Sequence, residues 1–181
     1  GANMSFNKGV TTYKLPDTND INTGWTCIWD AGSTDEISYR GPLAATIDLR
    51  AAPLTGEHAG GYISHAEGIY GGFTIANGVV IENASGGRGN DAITGNDADN
   101  MLDGFGGDDH LFGLGGDDLL DGGFGYDELD GGAGTDTVTY AFYANSDGMV
   151  ANLEAGYTTF RGTTQRDTLV GIENLVGGQG A

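Results

Sequence analysis

Between residues 86 and 139 an aliphatic side chain recurs at every ninth position, with glycine and polar residues between. These six positions are Ile93, Leu102, Leu111, Leu120, Leu129 and Val138. In a β-strand, successive side chains point to opposite faces of the sheet. One inward residue per nine therefore predicts a strand of three residues with a buried middle side chain, preceded by a turn of six residues.

The turn of each repeat has a fixed pattern. Position one is always glycine, position four is glycine in five of the six repeats, and position six is always Asp or Asn. Glycine reaches positive φ at low cost, so these residues suit a tight turn whose carbonyl oxygens converge. Two turn and strand units form one coil of a right-handed parallel β-roll, so residue i stacks on residue i+18. The predicted fold class is all-β, a right-handed parallel β-roll with flanking β-strand caps.

Stacking places the position-six side chains in two rows. Asp91, Asp109 and Asp127 line one edge of the roll, and Asn100, Asp118 and Asp136 line the other. Adjacent coils lie about 4.8 Å apart, so these carboxylates repel one another unless a cation lies between them. Oxygen ligands at a flexible turn suit Ca²⁺ better than Zn²⁺ or Mg²⁺. Each edge offers two sites between coils, and with the caps we expect about four to six calcium ions.

The expected calcium ligands combine carboxylate oxygens with carbonyl oxygens of the turns. In the repeats the predicted set is Gly86, Arg88, Asp91, Gly95, Asp97, Asn100, Gly104, Gly106, Asp109, Gly113, Gly115, Asp118, Gly122, Gly125, Asp127, Gly132, Gly134 and Asp136. One aliphatic residue in nine buries too little apolar surface to offset the entropy of ordering the chain. We therefore expect this segment to be disordered without calcium. A flexible Gly/Asp-rich linker is the alternative, but the shared phase of the aliphatic and acidic positions favours the roll.

The repeats follow the GGxGxDxUx pattern of RTX proteins, and the block resembles their calcium-binding β-roll. The flanking sequence also indicates short β-strands, and we divide the chain into four parts. Residues 1–24 form a polar N-terminal segment, 25–85 a β cap, 86–139 the six-repeat roll, and 140–181 a second β cap leading into a further roll that the chain cuts short. In the first cap, Asp30 and Asp35 flank Gly32. This spacing fits a cation site or an Asx-type turn with solvated acids.

Three segments, TCIWDAGSTDEISY, ATIDLR and GVVIENASGGRGNDAITGNDADNMLDG, resemble the C-terminal domain of the serralysin family of secreted metallopeptidases. The resemblance covers residues 25–140 and implies that Asp30, Gly32 and Asp35 bind calcium. It also implies partner ligands from an upstream Arg-x-Gly-x-Thr segment, which we do not identify in residues 1–24. The zinc-binding helix HExxHxxGxxH of the family is absent from this sequence. We expect no peptidase activity from this chain alone.

After the roll the sequence repeats its own beginning. DTVTY echoes DEISY, MVANLEA echoes ATIDLRA, and IENLVGGQG echoes IENASGGRG. Spacers of the type DTLxGIENLxG lie between rolls in long RTX adhesins and polysaccharide-active RTX enzymes. The sequence therefore leaves two kinds of parent protein open, a serralysin-like metallopeptidase and an RTX adhesin or polysaccharide-active protein.

Composition narrows the range of partners. The chain carries 26 acidic and 7 basic residues, a formal charge of −19, and Arg88 is the single basic residue of the repeats. Nucleic acid and anionic membranes are poor partners for such a chain. No run of 18 apolar residues predicts membrane insertion. Cys27 has no second cysteine to pair with, and its apolar neighbours predict a buried thiol.

Calcium-dependent folding is compatible with secretion of the chain in an unfolded state. The prediction is a non-catalytic, extracellular module that passes unfolded through a type I secretion exporter and folds on external calcium. No catalytic arrangement can be placed on the three histidines, His58, His65 and His110. A polysaccharide is the one further partner that the sequence suggests, through stacking on the aromatic residues Trp25, Trp29, Phe105, Phe124 and Tyr126.

Overall fold

The computed structural model describes residues 9–20, 23–30, 32–141, 149–160 and 166–177. Within these ranges the regular structure consists of short β-strands without any helix. The chain is all-β, as predicted. In order, the strands are β1 (Thr12–Lys14), β2 (Trp25–Ile28), β3 (Glu36–Ser38), β4 (Ala45–Asp48), β5 (His65–Ala66), β6 (Gly72–Ile75), β7 (Asn83–Ser85), β8 (Ala92–Thr94), β9 (Met101–Asp103), β10 (His110–Phe112), β11 (Leu119–Asp121), β12 (Glu128–Asp130), β13 (Thr137–Thr139), β14 (Met149–Asn152), β15 (Tyr157–Phe160), β16 (Arg166–Val170) and β17 (Asn174–Val176).

Strands β8 to β13 come from the six repeats, and each is three residues long. Their middle side chains, the aliphatic residues of position eight, are 0% exposed. The position-seven side chains before them are exposed or half-buried. A single inward residue per repeat therefore supplies the interior of the roll, because the strand is too short to turn a second side chain inward.

Alternate repeat strands belong to opposite sheets. β8, β10 and β12 pair in parallel in one sheet, and β9, β11 and β13 pair in parallel in the other. Leu111 lies opposite Ile93 and Leu129, each 18 residues away. The predicted register is confirmed, and the fold is a parallel β-roll.

The N-terminal cap extends both sheets by the same parallel pairing. β7, β3 and β1 continue the sheet of β9, and β4 continues the sheet of β8. Ile37 lies opposite Ala84, and Ile47 lies opposite Ile93. The connections in this cap are therefore much longer than the 18 residues of a regular coil. β5 closes the edge of β4 with an antiparallel pairing.

The C-terminal cap continues the two sheets at the other end. β16 pairs in parallel with β12, and β17 pairs in parallel with β13. Leu169 and Leu175 therefore extend the two interior columns of aliphatic residues. β14 and β15 add an antiparallel hairpin onto β16. In the part of the chain described here, no helix is long and apolar enough to cross a membrane.

The prediction of a buried thiol at Cys27 is wrong. Among the described strands, β2 pairs only with β6, in a separate two-stranded sheet, and three of its four residues are exposed. Ile28 takes the inward face and is buried, while Cys27 alternates outward and is exposed. Trp25 and Trp29 lie on the same outward side and are about half exposed.

Candidate calcium sites

Each position-six carboxylate in the roll accepts a hydrogen bond from the backbone of the preceding coil. The N–H of Asp91 donates to Oδ1 of Asp109 at 2.7 Å, and the N–H of Asp109 donates to Oδ1 of Asp127 at 2.9 Å. On the other edge, the N–H of Asp118 donates to Oδ1 of Asp136 at 2.9 Å. The two rows predicted from the sequence are therefore continuous ladders, with one oxygen of each carboxylate holding the register.

In four of these carboxylates the second oxygen has no hydrogen-bond partner among the described residues. It is the Oδ2 atom, in side chains that are at most 2% exposed. A buried carboxylate oxygen without a partner costs free energy, because it has lost its water and gained nothing in return. The four residues of the roll in this state are Asp109, Asp118, Asp127 and Asp136.

A backbone carbonyl oxygen lies beside each carboxylate that is flanked by the next coil. A Cβ atom placed on Gly104 would lie within 2.6 Å of both Oδ2 of Asp109 and the carbonyl oxygen of Gly122. Gly113 has the same surroundings, formed by Asp118 and the carbonyl of Gly131. At these two position-one residues, oxygens from different coils converge on the α-carbon. The space is too small for a side chain, which accounts for the glycine.

The electrostatics of the ladders favour a bound cation. Burial raises the pKa of Asp109 to about 8, of Asp127 to about 7 and of Asp118 to about 6. Negative charges on neighbouring carboxylates add to each rise in pKa. Keeping these groups ionised inside the roll is costly unless a positive charge compensates them.

The donor set suits calcium. No group of three or more His, Cys, Asp or Glu side chains that could hold a metal converges within the described ranges. The oxygens that do converge are a carboxylate from one coil and a carbonyl from the next. Ca²⁺ accepts such mixed oxygen ligands in flexible geometry, whereas Zn²⁺ prefers nitrogen and sulfur. The residues present fit a calcium ion.

The first position-six residue of each ladder within the repeats differs from those that follow. Oδ2 of Asp91 accepts a hydrogen bond from the N–H of Gly87 at 2.5 Å. The side-chain oxygen of Asn100 accepts one from the N–H of Asn96 at 2.8 Å, and its Nδ2 donates to the carbonyl of Glu82 at 2.9 Å. Both ends of the Asn100 amide are therefore engaged, which suits an uncharged side chain at this position.

The other predicted turn ligands lie at different depths. The position-one residues are buried beside the carboxylates; in the predicted set they are Gly86, Gly95, Gly104, Gly113 and Gly122. The position-three residues lie at the rim, half-buried or exposed; they are Arg88, Asp97, Gly106 and Gly115. Three further glycines adopt positive φ and approach a carbonyl of the preceding coil closely; they are Gly125, Gly132 and Gly134. Position one thus lies with the carboxylates, and positions two to four form the outer wall of the turn.

Position nine does not simply point outward, as the strand alternation suggested. Asp121 is only 7% exposed, and its Oδ1 accepts a hydrogen bond from the N–H of Gly123 at 3.1 Å. Asp103 accepts the N–H of Phe105 at 3.0 Å in the same way. A carboxylate at the end of a strand folds over the turn that follows, and its side chain is buried there. Burial, with the charge of Asp103, raises the pKa of Asp121 to about 6.

The turn from Asp30 to Asp35 repeats the features of the roll. Asp35 is 0% exposed, its Oδ1 accepts the N–H of Thr11 at 2.7 Å, and its Oδ2 has no partner among the described residues. Asp30 is buried and accepts the hydroxyl hydrogen of Tyr13. Gly32 has a φ of 104°, which favours glycine at that point of the turn. Of the two interpretations left open by spacing, a solvated turn does not fit, because both acids are buried.

The upstream partner of this turn is Gly9-Val10-Thr11, which we did not identify from the sequence. Thr11 bonds to Asp35, and its carbonyl accepts the N–H of Glu36 at 2.9 Å. These residues supply the Gly-x-Thr part of the expected segment, with Asn7 in place of its arginine. The missing arginine concealed the match.

Sequence reasoning also missed three rungs that lie outside the repeats. Glu82 accepts the N–H of Asp35 at 2.8 Å, and Glu173 accepts the N–H of Asp136 at 2.8 Å. Asp167 accepts the N–H of Asp127 at 3.2 Å. The repeated triplet Ile-Glu-Asn was the available signal for the two glutamates, since it begins both echoed segments.

The three histidines have separate surroundings. His58 stacks on Tyr62 with ring centroids 4.6 Å apart, and His65 lies in β5. His110, expected to point outward, is exposed and pairs with Glu128 at 3.0 Å. Among the described residues, none of the three histidines makes a hydrogen bond to a serine, threonine or cysteine side chain.

The structure is an all-β parallel roll built from nonapeptides, with a carboxylate ladder along each edge. These features place the protein in the class of RTX-type β-rolls. Within that class the chain belongs to the family described as peptidase M10 serralysin C terminal, whose model matches residues 6–163. The resemblance seen in the sequence is confirmed.

Relatives of known name support this assignment. The chain is 40% identical over 100 residues to serralysin of Proteus mirabilis, covering 55% of this chain and 18% of the relative. It is 36% identical over 112 residues to metallopeptidase AprA of Pseudomonas marginalis, covering 56% and 22%. It is 38% identical over 111 residues to serralysin G of Dickeya chrysanthemi, covering 56% and 22%. The chain thus spans about a fifth of the length of these relatives.

Proposed function

We propose that this protein is a non-catalytic, calcium-binding module of a secreted, serralysin-like bacterial protein, and that it folds when its carboxylate ladders bind Ca²⁺. The observation that carries the proposal is the row of buried Oδ2 atoms without a hydrogen-bond partner among the described residues. Those of Asp109 and Asp118 each lie beside a carbonyl oxygen of the next coil. A cation that accepts oxygen ligands in a flexible geometry would compensate these oxygens, and Ca²⁺ has this property.

The two oxygens of a ladder carboxylate have different roles. Oδ1 accepts the backbone N–H of the preceding coil and fixes the 18-residue register. In Asp109 and Asp118, Oδ2 faces the position-one carbonyl of the following coil and is left to the ion. Each ion would therefore join two coils, so that binding and stacking of coils occur together.

Calcium-dependent folding suits export by a type I system. Calcium is scarce in the cytosol, so the ladders repel there and the polyacidic chain stays unfolded, which lets it thread an exporter. Outside the cell calcium is abundant and binds only the folded state, so it shifts the equilibrium toward the roll. In the relatives that carry a metallopeptidase name, such a module would accompany a catalytic part.

A second candidate function is polysaccharide binding, as a module of an RTX adhesin or polysaccharide-active protein. Large aromatic side chains are half exposed or more, namely Trp25, Trp29, Phe124 and Tyr126. Aromatic faces of this kind stack on sugar rings. Affinity chromatography on alginate decides between the two functions, since retention lost in Trp25→Ala and Trp29→Ala would support the second.

The experiment that tests the main proposal is isothermal calorimetry of the calcium-free protein with CaCl₂, with MgCl₂ as the control. We expect binding of about four to six calcium ions coupled to folding, and no such transition with magnesium. Lack of calcium binding at millimolar concentration would refute the proposal.

A separate assay tests the non-catalytic part of the proposal. The purified, calcium-loaded chain should not hydrolyse casein above a mock preparation, because the sequence holds no HExxH motif. Caseinolysis that survives repurification and is inhibited by a zinc chelator would show a catalytic site that we have not recognised.

A further inference from the structure

One carboxylate ladder continues beyond the last repeat. Asp136 is the final position-six residue, and its N–H donates to Oε2 of Glu173 at 2.8 Å. This is the same bond that the N–H of Asp118 makes to Asp136 one coil earlier, at 2.9 Å. Glu173 therefore occupies the next rung of the ladder, although it belongs to no repeat.

The oxygen atoms around Asp136 reproduce an interior site. Asp136 is 0% exposed, and its Oδ2 has no partner among the described residues. This Oδ2 and the carbonyl oxygen of Gly171 each lie 2.5 Å from the point where a Cβ on Gly131 would be. Inside the roll, Asp118 and the carbonyl of Gly131 surround Gly113 in the same way. The carbonyl of Gly171 thus replaces the position-one carbonyl of a further repeat.

The charges near Asp136 call for a cation. Asp136 is buried, and the carboxylate of Glu173 lies within hydrogen-bond distance of its N–H, so two acidic groups lie close together. Glu173 itself is exposed, so an ion held here would keep part of its water shell. A hard divalent cation that accepts carboxylate, carbonyl and water oxygens meets these conditions.

The same constellation occurs at the start of the roll. The N–H of Asp35 donates to Oε2 of Glu82 at 2.8 Å, and the N–H of Asn83 donates to the carbonyl of Asp35 at 2.9 Å. At the end of the roll, the N–H of Asn174 donates to the carbonyl of Asp136, also at 2.9 Å. Oδ2 of Asp35 is likewise buried without a described partner. Both ends of the ladder thus use one Asp and one Glu in the same arrangement.

We propose that Asp136, Gly171 and Glu173 bind a calcium ion at the C-terminal end of the roll. Gly171 and Glu173 lie outside residues 6–163, the part that the family model matches, whereas Asp136 lies within it. The ion fastens β17 to β13, the strands that pair at this end of the sheet. The proposal rests on the proposed function, because it extends the same ladder by one rung.

The test is a count of calcium ions by native mass spectrometry, together with calorimetry, on the wild type, Glu173→Gln and Glu154→Gln. A glutamine side chain still offers an amide oxygen to the N–H of Asp136, so E173Q keeps the structural hydrogen bond and removes the charge. Glu154 is exposed in the turn after β14 and gives the matched change of net charge. We expect E173Q to bind one ion fewer, with an unchanged far-ultraviolet spectrum, and E154Q to match the wild type.

The outcomes separate the two proposals. If the wild type binds no calcium, the proposed function fails. If the wild type binds calcium and E173Q binds the same number of ions with the same affinities, the end site alone fails. Should E173Q not fold, an anomalous difference map from a wild-type crystal grown in calcium decides. A peak between Asp136, Gly171 and Glu173 supports the site, and its absence beside peaks within the repeats overturns it.

Discussion

The glycine at position one of each repeat is required by space and not by backbone conformation. Gly104 does not adopt positive φ, yet a Cβ there would meet both Asp109 and the carbonyl of Gly122. Gly106, two residues on, has no atom closer than 3.7 Å to its Cβ position. The two glycines of one turn therefore differ in what they tolerate.

Gly104→Ala should raise the calcium concentration at the folding midpoint several-fold, because the added methyl group pushes apart the two oxygens that face the ion. Gly106→Ala is the matched control and should leave the midpoint within about twofold, since surface changes of this kind usually cost less than about 0.5 kcal/mol. Calcium titrations followed by circular dichroism compare the two variants. Equal midpoints would mean that position one does not border the ion.

The carboxylates within a ladder should matter more than those at its start. Asp109 lies between two coils and its Oδ2 has no described partner, whereas Oδ2 of Asp91 already bonds to Gly87. We expect Asp109→Ala and Asp118→Ala to raise the calcium midpoint roughly tenfold, as loss of a charged ligand costs about 1.5–3 kcal/mol. Asp91→Ala should have a smaller effect.

Asp108→Asn is a suitable control for these variants. Asp108 is exposed next to Asp109, and its Oδ1 accepts the N–H of Tyr126, a bond that Asn can keep. Asp121 does not serve as a neutral control, because it is buried. If D108N and D109A shift the midpoint equally in the titration, net charge and not the ladder controls folding.

Each repeat strand is stabilised by its single inward side chain. In β9, Leu102 is 0% exposed and lies opposite Ala84 and Leu120, while its neighbour Met101 is 53% exposed. The interior of the roll is thus a column of single residues, one per strand. Loss of one member leaves a cavity that the neighbouring coils cannot fill without breaking register.

Leu102→Ala should lower the free energy of unfolding in saturating calcium by about 2–5 kcal/mol. Met101→Ala, in the same strand, should lower it by about 0.5 kcal/mol or less. Urea denaturation at fixed calcium measures both. A similar loss in the two variants would contradict the inward and outward assignment of β9.

The structure of a segment could be predicted from the sequence where the segment has a regular repeat. The repeats predicted strand length, register and both carboxylate rows, because a fixed spacing of 18 residues leaves one way to stack. The caps have no such period, and the residues between Ile37 and Ala84 give no spacing from which Glu82 could be recognised as a rung. Cys27 and Asp121 were misplaced for a related reason. The exposure of these two side chains depends on whether another segment of the chain covers them. Strand alternation alone does not show this.

The whole molecule is a polyanion with a formal charge of −19, and the aspartates of its two ladders are buried. One ladder runs along the β3 sheet from Asp35 and Glu82 to Glu173, and the other runs along the β4 sheet from Asp91 to Asp167. Without cations the folded state concentrates repulsion along both edges, whereas an extended chain relieves it. Calcium should therefore decide between folded and unfolded chain and not merely adjust the stability of a roll that already exists.

Far-ultraviolet circular dichroism in EDTA and in about 10 mM CaCl₂, with MgCl₂ at the same concentration as the control, tests this central claim most directly. For a site with a dissociation constant near 10⁻⁴ M, typical of extracellular calcium modules, about 10 mM calcium stabilises the folded state by roughly 2.7 kcal/mol. Several such sites suffice to fold an otherwise unstable chain. We predict a disordered spectrum in EDTA and in magnesium, and a cooperative change to a β spectrum in calcium. A native β spectrum in EDTA would contradict the account.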